Sequence, residues 1–279
     1  MAVRVPSASA GCSWREKGFL ALAIWLVLIW ALAAQGAEEK DAKTELAKLE
    51  QNPLARLFRL QFEDNAQFGF GPDNGVLNFL RIQPIIPFDL SEDWSLITRP
   101  VIPIVHQPWP ESVDGLGDIG LQLLLSPERP GKFIWGVGPA FLFPSATDKI
   151  IGTGKWSAGP AAVGAYTSGP WVVGAIVNQL WSFAGDDSRQ DVNVMTLRPF
   201  INYNLTDGWF LSSSPGITAS WEADSDNRWL VPLGGGVGKV FAIGKKHMSI
   251  ALEGYYHVVS PNVGPDWQLR LQLTFLLPK

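Results

Sequence analysis

The sequence predicts an all-β protein, a transmembrane antiparallel β-barrel of about 12 strands preceded by a short N-terminal helical segment. Three observations carry that expectation: apolar and polar residues alternate with period two, the segments run ten to fourteen residues, and tryptophans gather at segment ends. The frame is 279 residues, 17% charged and 47% hydrophobic, which excludes a disordered chain. A formal net charge of −4 offers no basic surface, so nucleic acid is not an expected partner. The single cysteine, Cys12, precedes the first apolar run, which leaves neither a disulfide framework nor a cysteine-built zinc site.

Residues 1–36 read as a signal peptide. Arg4, Arg15 and Lys17 form a positive start, Phe19 to Ala34 an uncharged run of 16 residues, and Ala34-Gln35-Gly36 a small-residue cleavage site. A run of 16 is short for a helix crossing about 30 Å of hydrocarbon, so a single membrane anchor is the weaker reading. Cleavage after Gly36 removes three basic residues and Glu16, leaving 19 basic and 25 acidic. No later stretch is long enough for a helical span. The expected location is the outer membrane of a Gram-negative bacterium, reached by export and then the outer-membrane insertion machinery.

Residues 37–59 form the helical segment. A helix is expected over 38–51, with Leu46 and Leu49 among Glu, Lys and Ala. Asn52-Pro53 reads as an N-cap and first residue of a second short helix, with Leu54, Leu57 and Phe58 on an apolar face. Either a periplasmic helical hairpin or a plug inside a hollow protein fits this pattern.

From residue 60 to 279 the chain reads as barrel. Strands are expected at 60–71, 75–87, 94–106, 117–126, 132–143, 158–167, 171–183, 191–204, 209–221, 228–241, 248–259 and 266–277, separated by Gly, Pro, Asp, Asn and Ser clusters. Strands of soluble proteins average about five or six residues, whereas tilted membrane strands need about nine to eleven. The last segment places Trp267, Leu269, Leu271, Leu273, Phe275 and Leu277 on one face and Gln268, Arg270, Gln272 and Thr274 on the other. Connections 88–93, 127–131, 168–170, 205–208 and 242–247 are short, while 107–116 and 144–157 are the longest on the opposite side. Trp94, Trp135, Trp171 and Trp209 open strands at the short-turn side. Trp181, Trp221, Trp229 and Trp267 lie at the other rim, and Trp109 and Trp156 in its loops. An indole has an apolar body and one N–H donor, so two such rings of tryptophan mark two membrane interfaces.

Taking the apolar face as outward points Arg81, Gln83, Arg99, Gln122, Asn178, Arg198, Asn202, Glu253, His257, Gln268 and Arg270 into the lumen. Four arginines facing one glutamate suit binding or steering of anionic groups, or equally a set of ion pairs filling a narrow barrel. Gly136, Gly138 and Ala140, then Ala161, Val163 and Ala165, then Gly234, Gly236 and Gly238 give other inward faces a small or apolar character. Pro84, Pro87, Pro100 and Pro103 fall in two adjacent strands, where each removes a ladder hydrogen bond. They suggest a weak seam that opens sideways to lipid.

Enzyme motifs are missing. No Gly-x-Ser-x-Gly or His-Glu-x-x-His is present, His106, His247 and His257 are scattered, and Gly234-Gly-Gly-Val-Gly-Lys239 lacks the Ser or Thr of a phosphate loop. No enzymatic activity, cofactor or metal is expected.

Several stretches also carry a family resemblance: Gly154-Lys-Trp-Ser-Ala-Gly-Pro160, Gly169-Pro-Trp-Val-Val-Gly174, Asn178-Gln-Leu-Trp-Ser-Phe-Ala-Gly-Asp186, Asn227-Arg-Trp229, Pro232-Leu-Gly-Gly-Gly-Val-Gly-Lys-Val240 and Gly264-Pro-Asp-Trp-Gln-Leu-Arg270. Over roughly residues 44 to 279 the chain resembles the outer-membrane family named for the meta-cleavage pathway of phenol degradation. The resemblance implies an outer-membrane barrel that passes aromatic or other hydrophobic compounds, with membrane lipid and those solutes as its partners. The expected function is passive diffusion of such compounds. The other reading is a structural or surface-interaction barrel using the loops at 107–116 and 144–157.

Overall fold

A computed structural model describes residues 40–128, 131–243 and 246–277; the expected signal peptide and its cleavage site lie outside them. Among the described residues one α-helix, α1 (Lys40–Gln51), precedes fourteen strands. These are β1 (Phe58–Phe70), β2 (Gly75–Asp89), β3 (Trp94–Gln107), β4 (Val113–Leu116), β5 (Ile119–Pro127), β6 (Phe133–Phe143) and β7 (Lys155–Ser168). The second half holds β8 (Trp171–Gly185), β9 (Asn193–Asn204), β10 (Trp209–Ser213), β11 (Ile217–Ser220), β12 (Trp229–Ile243), β13 (Lys246–Val259) and β14 (Trp267–Leu277).

All pair antiparallel, and β1 pairs with both β2 and β14, from Phe58↔Leu277 to Phe68↔Trp267. The sheet of the described residues therefore closes on itself, which removes the open edges that a flat sheet would present. Two staves are broken. β4 and β5 both pair with β3, offset by one residue at 117–118, where the Gly117 amide donates to the Pro103 carbonyl at 2.9 Å. β10 and β11 share the partners β9 and β12. The fourteen strands thus make twelve staves, with the expected segments 117–126 and 209–221 each interrupted or extended.

Alternation decides which face each residue takes. In β14, Gln268, Arg270, Thr274 and Leu276 are buried, whereas Trp267 and Leu277 are exposed. The exposed face carries the aromatic rims. Trp94 meets Trp135 edge-on at 6.2 Å and Trp171 meets Tyr203 at 4.6 Å near the short turns. At the long-loop end Phe68 stacks on Trp267 at 4.0 Å, Phe143 meets Trp156 at 5.7 Å, and Trp221 meets Trp229 at 5.6 Å.

Some expectations need correction. The second short helix does not form: residues 52–57 are a turn, in which Asn52 Oδ1 accepts from the Leu54 amide at 2.9 Å and β1 begins at Phe58. The Asn side chain closes its own turn where a helix cap was expected. Trp156 lies in β7, which starts at Lys155, not in a loop, and β8 runs four residues past Trp181. Part of the expected loop 107–116 is strand β4.

The prolines act unequally. Pro87 and Pro103 sit opposite partners, Ile97 and Arg81. Between Ile82↔Ile102 and Ile86↔Thr98 pairing lapses, and the shared register sets Pro84 against Pro100. Neither ring can donate, so the ladder opens there. A second proline pair, Pro139↔Pro160, joins β6 and β7, and pairing also lapses between Ala158↔Trp181 and Ala161↔Asn178.

Gly238 on β12 makes room for a ring on β10. A Cβ on Gly238 would overlap the ring of Phe210, which is buried inside the barrel. Gly238→Val is expected to lower barrel stability by about 1–3 kcal/mol, read as an earlier midpoint in urea unfolding of the protein in lipid vesicles.

Candidate functional site

The lumen is organised around Glu63. On β1 the inward face reads Gln61, Glu63, Asn65 and Gln67, and Glu63 is 2% exposed. Register sets Arg81 beside it. Arg81 Nη1 donates to Glu63 Oε1 at 2.9 Å, and Arg198 reaches from β9 to donate to Oε2 at 3.0 Å and Oε1 at 3.4 Å. Arg270 Nε lies 3.7 Å from the same carboxylate and its Nη1 donates to Glu253 Oε2 at 3.0 Å. The belt continues through neutral groups. Arg270 and Gln268 both donate to Asn65 Oδ1, at 3.1 and 2.8 Å.

The break in the stave between β10 and β11 serves this belt. Ser214 turns its carbonyl and hydroxyl to Arg270 Nη1, each at 2.9 Å, while its amide donates to the Tyr255 hydroxyl at 2.9 Å. Ser212 Oγ donates to Glu253 at 2.5 Å. Buried charges survive only when paired and hydrogen-bonded, and each carboxylate here has several donors.

Helix α1 sits inside the short-turn end. It buries Lys43, Ala47 and Glu50, spaced four and three apart and so on one helical face. Ala47 packs with the inward side chains Phe210, Val240, Ala251 and Leu276. Gln51 and Asn204 exchange amide hydrogen bonds at 3.0 and 2.9 Å, and Ser249 Oγ donates to Glu50 Oε1 at 2.6 Å. Lys239 reaches Asp207 at 3.0 Å and Lys43 lies 3.7 Å from it. Arg59 closes the helix end, donating to the carbonyls of Glu50, Asn52 at 2.9 Å and Pro53 at 3.1 Å. A cation here also faces the negative end of the helix dipole. Burial pushes the Glu50 carboxyl above its usual range, against the Ser249 hydrogen bond and the Arg59 charge. Just beyond, Leu54 fills the lumen against Ile85, Ile97, Leu124 and Ile134.

Between plug and belt lies a chamber of about 120 Å³, lined by Arg59, Arg99, Arg198, Asn202, Ser212, Glu253, Ile85, Ile176, Phe200 and Phe210 among others. Of the residues singled out from sequence, Arg81, Arg198, Glu253 and Arg270 come together in the belt, while Arg99 and Asn202 join Arg198 and Glu253 on the chamber wall. Gln83, Gln122 and Asn178 belong to neither; they stand opposite Gln61, Arg99 and Ala161 in the wall. His257 is buried near the long loops, its Nδ1 2.9 Å from the Pro265 carbonyl, and Gln268 is in the belt. Sequence reasoning missed Glu63, Asn65, Arg59, Ser212, Ser214 and Tyr255. The alternation Gln61-Glu63-Asn65-Gln67 was a usable signal for the first two. Among the described residues no three His, Cys, Asp or Glu side chains converge as a metal site.

The fold has known counterparts. The COG4313 outer membrane channel from Pseudomonas putida F1 superposes with a TM-score of 0.60 at 15% identity, covering 79% of this chain and 94% of that one. The NanC porin superposes at 0.51 with 9% identity, covering 79% of this chain and 100% of that one. These likenesses concern the fold. No family model matches the sequence, and no curated protein does.

Removing the hub should be costly. Glu63→Gln leaves Arg81, Arg198 and Arg270 converging without their shared carboxylate, an expected loss of about 3–5 kcal/mol, read by urea unfolding in vesicles alongside Gln61→Ala as a mild control.

Proposed function

We propose that the chain is an outer-membrane channel for small hydrophobic or aromatic compounds, working by passive diffusion, with its N-terminal helical segment plugging the periplasmic mouth. The observation that carries this reading is the lumen itself. A closed barrel encloses a chamber with an apolar side at Ile85, Ile176, Phe200 and Phe210, facing arginines, amides and carboxylates on the rest of its wall. A wide water-filled porin is more evenly polar inside. The aromatic rims on the exposed face support placement in a bilayer. The similar Pseudomonas putida protein is described as an outer membrane channel, which favours the same role here. The unpaired stretch around Pro84 and Pro100 is a weak place in the wall, and in this reading apolar solutes leave sideways there into lipid.

Uptake decides the matter. Expressed in a porin-depleted Gram-negative host, the protein should speed entry of labelled toluene over that of arabinose, a sugar of similar size. Equal entry of both would indicate a general porin, and entry of neither a structural or surface-interaction barrel.

The plug gives a second test. Ala47 is fully buried against the wall, so Ala47→Arg cannot be accommodated and should expel α1. Single-channel conductance in planar bilayers should rise severalfold while the heat-modifiable gel mobility of the barrel persists. Unchanged conductance would mean that α1 is not the barrier.

A further inference from the structure

Among the described residues, Arg99 is a buried lumen cation with neither a counter-ion nor an acceptor at two of its guanidinium nitrogens. Arg99 is 8% exposed, and no acceptor lies within hydrogen-bond reach of its Nε or Nη1. The other charged groups on the chamber wall each hold at least one partner, although Arg59 Nε and Glu50 Oε2 are unpartnered. Arg59 holds the carbonyls at the end of α1, Arg198 is paired with Glu63, Glu253 with Arg270 and Ser212, and Glu50 with Ser249. Counting belt and chamber together, five guanidiniums (Arg59, Arg81, Arg99, Arg198, Arg270) meet three carboxylates (Glu50, Glu63, Glu253), an excess of two positive charges. Buried polar groups in folded proteins almost always find partners, so a buried guanidinium that the protein leaves without an acceptor beside a cavity points to a partner that arrives from outside.

The rest of the wall narrows the chemistry. Ile85, Ile176, Phe200, Phe210 and Ala251 give the chamber an apolar side. Its volume of about 120 Å³ is close to that of an apolar cavity of roughly 150 Å³ that accepts one benzene ring. Arg99 is the guanidinium on this wall whose Nε and Nη1 both lack an acceptor, so it is the cation open to an incoming anion. A planar fork of N–H donors matches a carboxylate in particular.

We infer that this chamber binds a small organic carboxylate, a monoanion on an apolar or aromatic body, with Arg99 reading the charge. The inference deepens the channel reading by naming a solute class, and it rests on that reading only for the passage of the solute. Phenol-like neutral compounds would enter the same chamber without engaging Arg99.

The test is calorimetric titration of the folded chain in detergent micelles at pH 7.5 with benzoate, with the neutral analogue benzyl alcohol, and with inorganic phosphate. Benzoate should bind tightest. Arg99→Gln should weaken benzoate by about 30-fold or more and leave benzyl alcohol unchanged, while Arg99→Lys, which keeps the charge, should retain part of the preference. Gel mobility before and after heating reports whether each variant is folded, and if Arg99→Gln is not, the benzoate preference of the unmodified protein and its reduction in Arg99→Lys decide. Equal binding of benzoate and benzyl alcohol, phosphate binding as tight as benzoate, or undiminished benzoate binding by folded Arg99→Gln would overturn the assignment. Benzoate binding in a protein that passes no solute would remove the channel and keep the site; toluene uptake without benzoate binding would do the reverse.

Discussion

The interior of this barrel depends on one buried carboxylate. Glu63 lies on β1, the strand that closes the sheet against β14, and it collects arginines from β2, β9 and β14. A side chain from β9 can reach it only across the lumen, so the bridge fixes the diameter as well as the charge balance. Isolated, any of these four charges would be expensive to bury; together they satisfy one another. The belt separates the lumen into two regions of different character. Above it, toward the long loops, Gln67 and His257 keep the wall polar; below it apolar side chains such as Ile85, Phe200 and Phe210 share the wall with Arg99 and Asn202 until the plug.

The plug and the belt are built by the same device, a guanidinium turned to oxygen acceptors inside the barrel. Arg59 takes the carbonyls that end α1, which a soluble helix would leave to water or to a glycine cap. This explains why the segment 52–57 is a turn and not a helix. The carbonyls of Asn52 and Pro53 are directed at Arg59, which a continuing helix would have turned along its own axis. The helix is otherwise held mainly by polar contacts around one small apolar patch, with Leu49 left 52% exposed. Such an anchoring gives a unique seat with little apolar area, a combination suited to a segment that can leave without unfolding the wall.

The wall was legible in the sequence because lipid imposes period two on it and interfaces collect indoles; every expected strand has a counterpart among the twelve staves. The interior was less legible, for reasons that can be named. Glu63 was hidden because Asp64 follows it: two acidic residues in succession blur the alternation, and Asp64 takes the opposite face, where Asn78 donates to it at 3.0 Å. Ser214 was hidden because its role depends on a break in a stave, where the chain turns its backbone toward Arg270. Arg198 was legible as inward but not as a bridge, since pairing with Glu63 spans 135 residues and needs the closed barrel. Inward direction follows from strand parity; which inward groups meet follows from curvature and shear, which no local pattern encodes.

Arg99 and the proline gap are neighbours, and their coincidence has a physical logic. Pro100 removes a donor from β3 at the residue after Arg99, and Pro84 removes the corresponding donor from β2. Alternation turns the two rings toward lipid and the guanidinium toward the chamber. The stretch of wall between Pro84 and Pro100 that lapses in pairing is therefore the stretch carrying Arg99, a buried cation with unpartnered nitrogens. In a barrel evolved only for rigidity, either feature would be a net cost: the gap loses backbone hydrogen bonds, and the cation is buried without an acceptor from the protein. Under the proposed solute-binding role both costs become reasonable, because such a site needs an attraction that the fold itself leaves unsatisfied and a wall that is not locked around it.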